Sequence, residues 1–111
     1  MTLATVIAKT RTVLNDGTGS DKYSDATLTE AISDALRHLW SVNPITRYDE
    51  SGRIVEKTIP SATTDAVPVA ERYLLGLAYY AAARCYEGNI TDTVNVALAN
   101  ALFQKASVEF A

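Results

Sequence analysis

The chain has 111 residues, of which 48% are hydrophobic and 21% are charged, and its formal net charge is −3. This length and composition predict one folded domain, residues 1–111, and exclude a wholly disordered chain. The charge disfavours duplex DNA binding because no broad basic field is present, and the single cysteine, Cys85, excludes an internal disulfide.

Two amphipathic helices are predicted before Pro44. The first has apolar side chains at three-to-four spacing, and Thr2 is in position to cap it. Its stripe consists of Leu3, Val6, Ile7, Thr10, Val13 and Leu14. The Asn, Asp and Gly residues at 15–21 then favour a loop, because they bond their own backbone or adopt left-handed angles at low cost.

Ser24 opens the second predicted helix, since its hydroxyl can accept early backbone N–H groups and Asp25 interacts favourably with the helix dipole. The stripe on this helix consists of Leu28, Ala31, Ile32, Ala35, Leu36 and Leu39. Pro44 disfavours helical angles in the residue before it, so we expect the helix to end at 41–43.

The character of the sequence changes after the second helix. Residues 45–48 and 53–59 are rich in β-branched side chains and flank a turn-like segment that contains Gly52. This pattern predicts a short β-hairpin or extended arm at about 45–60. A two-stranded hairpin alone is marginal in water, so we expect the arm to contact the helices or a partner chain.

A third helix is predicted to begin near Pro68, which suits a first helical turn, and to end at Gly88. Its apolar face is the longest in the chain and consists of Val69, Tyr73, Leu74, Leu77, Ala78, Tyr80, Ala81 and Cys85. Its alanines allow close approach by neighbouring helices, so we expect it at the centre of the fold. Arg84 is expected to pair with Glu87 or with a neighbouring subunit, and the sequence leaves both open.

The fourth helix is predicted to begin at Thr91 or Asp92 and to have one apolar side. That side consists of Val94, Ala97, Leu98, Ala101, Leu102, Lys105 (through its stem) and Val108. Phe103 and Phe110 fall off this stripe. Exposed aromatic side chains are typical of a partner surface, so we expect these two to contact another chain.

No constellation of residues points to catalysis. His38 is the only histidine and lies in an amphipathic helix next to Trp40, so we expect a boundary or surface residue rather than a general base. Cys85 has no second cysteine, further histidine or nucleophile loop, so we expect a small buried hydrophobe. The sequence therefore predicts that the protein is not an enzyme.

The sequence also predicts no cofactor, metal or membrane partner. The loop at 16–27 has oxygen-bearing residues at alternate positions, but Asp21 and Thr27 stand where a calcium loop needs glycine and a bidentate glutamate. The four tyrosines of the third helix have too few basic neighbours for a nucleic-acid platform, so we expect them at the edge of a core or interface. No apolar run is long enough for a membrane span or a signal peptide, so we expect synthesis in the cytoplasm.

Several stretches of the chain occur in an order that is similar to one protein family. Tyr23-Ser-Asp-Ala-Thr-Leu28 enters a helix that continues Ile32-Ser-Asp-Ala-Leu36 and is followed by Asn43-Pro44. In the second half, Thr58-Ile-Pro60 precedes Val67-Pro-Val-Ala-Glu-Arg-Tyr73, Gly76-Leu-Ala-Tyr-Tyr80 and Ala83-Arg-Cys-Tyr86. Through these stretches nearly the whole chain resembles the head–tail adaptor (connector) proteins of tailed bacteriophages.

The resemblance implies a mainly α structural virion protein without enzymatic turnover. Such proteins form a ring, usually dodecameric, that docks under the portal and extends the DNA channel to the tail. The implied partners are the portal protein, a tail or nozzle protein, further copies of the chain, and genomic DNA that passes without specific binding. The implied location is the head–tail junction of the virion, after synthesis in the host cytoplasm.

Contacts in a ring are heterologous, so one face of each subunit meets a different face of the next. We therefore expect the arm and the last helix to carry inter-subunit or portal contacts. The expected contact residues are Arg47, Tyr48, Ile54, Val55, Ile59, Phe103 and Phe110.

Two other functions remain open for the sequence. A small bacterial helical interaction or regulatory module, acting as a dimer, would show a basic helix or a protein-binding groove, and no basic helix is visible. A small enzyme with an unrecognised site would show titratable groups with perturbed pKa values gathered in a cleft.

Overall fold

The computed structural model describes residues 1–15, 22–47, 53, 58–88 and 93–111. Within these residues there are four α-helices: α1 (Leu3–Leu14), α2 (Asp25–Val42), α3 (Leu74–Glu87) and α4 (Thr93–Phe110). Two short 3₁₀ helices, Pro44–Arg47 and Glu71–Tyr73, follow α2 and precede α3. The mainly helical fold with about four helices is thus confirmed.

Side-chain caps fix the beginnings of α1 and α2, as the sequence predicts. The Thr2 hydroxyl accepts the N–H of Thr5, and the Ser24 hydroxyl accepts the N–H of Thr27. These bonds satisfy backbone donors that the first turn of a helix leaves without partners. Asn15 ends α1 in the left-handed region at φ 54°, a conformation that asparagine tolerates better than most residues.

The chain before α3 is held against the start of α1 by backbone hydrogen bonds. The Leu3 and Ala4 N–H groups donate to the Asp65 and Thr63 carbonyls at 2.9 Å each, and the Val67 N–H donates to the Met1 carbonyl at 2.9 Å. The prediction that a helix begins near Pro68 is therefore wrong, because this segment is committed to pairing with the start of α1. The helix begins at Leu74 instead.

Helix α3 lies at the centre of the fold, since α1, α2 and α4 all pack against it. Its alanines at 81, 82 and 83 are completely buried, so the core surrounds more than half of the helix circumference. Cys85 is buried in this core and Gly88 caps the helix end, as predicted. The close approach that the alanines allow explains why a helix with few large side chains occupies this position.

The apolar side of α4 differs from the sequence prediction. The residues that face the core are Ala99, Leu102, Ala106 and Phe110, of which Leu102 belongs to the predicted stripe. The other described members of that stripe are exposed, namely Ala97, Leu98, Ala101, Lys105 and Val108, and the side chain of Val94 lies outside the described part of the chain. Both sets have helical spacing, so periodicity alone does not choose between them. The core-facing set contains an aromatic ring that removes about 150–250 Å² from water, which favours this orientation over burial of Val108.

The predicted arm lies partly outside the described residues. Ile45 to Arg47 belong to a 3₁₀ helix, so the first predicted strand does not form over these residues. Residues 48–52 and 54–57 lie outside the described part of the chain, and the hairpin stays a prediction there. Where the chain is described again, Ile59 packs against the core and is half-buried.

Candidate interaction surface

The structure places the predicted contact residues in different environments. Arg47 is exposed at the end of its 3₁₀ helix, and Phe103 is half-buried. Phe110 is completely buried in the core, so the prediction that it is an exposed aromatic is wrong. The reason is the orientation of α4, which turns Phe110 towards α3. Tyr48, Ile54 and Val55 lie outside the described residues.

Phe110 belongs to an aromatic cluster between α2, α3 and α4. The Tyr80 ring stacks on His38 at 4.8 Å between centroids, meets the edge of Phe103 at 5.1 Å and lies 6.3 Å from the Phe110 ring. Burial raises the pKa of Tyr80 above its usual range, and the nearby Asp34 and Glu87 carboxylates add to this rise against the opposing Arg84. The cluster joins three helices and stabilises the fold rather than forming an open site.

Asn43 ties the end of α2 to α4 and to the start of α3. Its side-chain amide donates to the Phe110 carbonyl at 3.0 Å and to the Tyr73 hydroxyl at 3.3 Å. The Phe110 carbonyl lies at the helix end, where no intrahelical partner is available. This side chain therefore fixes the last turn of α4 against the rest of the molecule.

An ion-pair cluster lines a shallow depression between α2 and α3. The Arg84 guanidinium lies 3.3 Å from the Asp34 carboxylate and 3.3 Å from the Glu87 carboxylate, and Arg37 lies 3.5 Å from Asp34. The depression has a volume of about 230 Å³ and includes Cys85 in its wall. Solvent-exposed pairs of this kind each contribute about 0–1 kcal/mol, so the cluster adds little to the stability of the contact between α2 and α3. Arg84 thus pairs with Glu87, one of the two alternatives that the sequence left open. It also pairs with Asp34, which the sequence did not indicate.

The most unusual surface is the outer face of α4, formed by Ala97, Leu98, Ala101, Gln104 and Val108. All five side chains are exposed, and Leu98 and Val108 keep 40% and 74% of their surface in solvent. None of the five is charged, although 21% of the chain is charged. Lys105 borders the face and its ammonium group reaches back over the Tyr79 ring at 5.6 Å. A helix face that is apolar and uncharged on the solvent side is typical of an interaction surface.

A second surface feature is a groove beside the first 3₁₀ helix. We name it the Ile45 groove; its volume is about 440 Å³, and it is lined by Ile45, Thr46, Val67, Pro68, Val69, Ala70, Arg72 and Tyr73. Ile45, in one wall of the groove, is 70% exposed. Arg72 donates to the Tyr73 hydroxyl and stacks over the Tyr73 ring at 4.7 Å, which holds the guanidinium at the groove.

The sequence pattern indicated the residues of the outer face of α4, but as the side of the helix that packs in the core. The exposed residues of α4 are mostly those of the predicted apolar stripe, which was expected to face the core. The Ile45 groove was missed, because it brings together residues from both sides of the arm. The signal available in the sequence was Ile45, an apolar residue directly after Pro44 and beyond the stripe of α2.

Two negative findings apply to the described ranges only. Within them, no three His, Cys, Asp or Glu side chains come close enough together to hold a metal ion. No helix in the described part of the chain has the length and hydropathy needed to cross a membrane.

No protein family model matches the sequence, and no curated protein or solved structure matches it.

Proposed function

We propose that this protein is a structural subunit of a head-to-tail adaptor, a ring that docks under a phage portal and extends the DNA channel to the tail. Its partners are the portal protein, a tail or nozzle protein and further copies in a dodecameric ring. It acts without enzymatic turnover, at the head–tail junction of the virion. The sequence pattern between Tyr23 and Tyr86 motivates the specific family, and the structure supports the more general idea of association.

The observation that carries the proposal is the outer face of α4. Each square ångström of apolar surface removed from water contributes about 25 cal/mol, so Leu98 and Val108 favour a covered state. In the single chain they stay exposed. A partner chain that covers this face would gain that free energy without leaving a buried charge unpaired, because the face has none.

The charge distribution agrees with passage of DNA rather than retention of DNA. Among the described basic side chains, Arg11 pairs with Asp25 at 2.7 Å, and Arg37 and Arg84 pair with Asp34. Paired guanidinium groups release fewer counterions from a phosphate backbone, and the net charge of −3 repels it. A wall with these properties would allow a duplex to slide through a channel.

Native mass spectrometry of the full chain, alone and mixed with the portal protein encoded beside it, tests the proposal. We expect a high-order closed ring or many copies bound for each portal. A monomer or dimer that ignores the portal would contradict the proposal. A matched variant, Leu98→Asp with Val108→Asp, is expected to reduce the assembled fraction while Lys22→Asp, on another exposed surface, leaves it unchanged.

The outer face of α4 also favours a second function, that of a dimeric helical interaction or regulatory module. An isologous dimer needs only one self-complementary apolar face, which α4 provides. The measured copy number separates the two functions. Two copies without portal binding would assign the protein to this second class.

A further inference from the structure

We draw no further inference here: the strongest candidate, the exposed apolar patch around Leu98 and Val108 on the outer face of α4, is an unpartnered helix face, and nothing in the structure shows what covers it.

Discussion

At the scale of single residues, Gly76 decides how closely α4 approaches α3. A Cβ at this position would lie 2.7 Å from the Phe110 ring and 2.8 Å from the Glu109 Cβ. We expect Gly76→Ala to lower the free energy of unfolding by up to about 2 kcal/mol, because overpacking costs about 1–3 kcal/mol and the better helix propensity of alanine offsets about 1. Urea denaturation measures the change.

Gly88 provides the control for this prediction. It has an ordinary helical φ of −66°, and a Cβ there would meet nothing nearer than 3.6 Å. Gly88→Ala is expected to leave the free energy of unfolding unchanged or to raise it by about 0.4–1 kcal/mol. Equal losses in both variants would mean that the contact with Phe110 is not the cause.

Phe110 and Phe103 should respond differently to truncation. Phe110 is completely buried, so Phe110→Ala is expected to lower the free energy of unfolding by about 3–5 kcal/mol. Phe103 is half-buried and meets the edge of Tyr80, so Phe103→Ala should cost less than about 2 kcal/mol. Thermal unfolding of the two variants gives the comparison. An unchanged stability for Phe110→Ala would restore the view that this ring is an exposed contact residue.

Asp65 makes the segment before α3 sensitive to acid. Its carboxylate accepts the N–H groups of Ala62 and Ser61 at 2.9 and 3.0 Å, and these hydrogen bonds lower the pKa of Asp65 below its ordinary value of 3.8. The folded state thus favours the ionised form, and its contribution to stability is present above pH 3.8 and is lost as the pH falls through the folded-state pKa. The difference in Tm between the wild type and Asp65→Asn should therefore shrink as the pH is lowered through this range. A constant difference at every pH would contradict the role of the carboxylate.

At the scale of elements, α4 has two apolar faces: one packs in the core and the other is exposed. Leu102 faces the core, and Leu102→Ala is expected to lower the free energy of unfolding by about 2–5 kcal/mol. The pair Leu98→Asp and Val108→Asp lies on the outer face and should leave helix content and unfolding unchanged while it weakens self-association. Circular dichroism together with sedimentation measures both properties. Unfolding of the outer-face variant would show that this face is part of the core.

The elements themselves were largely predictable because their signals are local. Thr2 and Ser24 cap helices through their own next turn, and the proline at 44 ends α2. The start of α3 was not predictable in the same way, since the Val67 N–H pairs with the Met1 carbonyl, a partner distant in the sequence. The orientation of α4 failed for a related reason: only the notch at Gly76 on another helix selects Phe110 for burial.

At the scale of the whole molecule, the exposed apolar residues of the last helix are not the contact residues that the sequence predicts. The last helix was expected to contact a partner through Phe103 and Phe110, whereas its exposed large apolar side chains are Val96, Leu98 and Val108. The Ile45 groove needs the tertiary fold, because Ile45 and Val69 are neighbours only after the chain has returned from the arm. Composition and periodicity contain no information on such a meeting of distant residues.

Because α3 lies at the centre of the fold, an interface on α4 would change the local stability of α3 as well as that of α4. Among the described residues, α4 packs extensively on α3 only, whereas α1 and α2 pack on α3 and on each other. Covering the outer face of α4 would reduce local opening of that helix and of the buried alanine turn at 81–83 beneath it. Amide hydrogen exchange would therefore slow more in α4 and α3 than in α1. The helices with the largest decrease in exchange rate would show which side of the molecule contacts its partner.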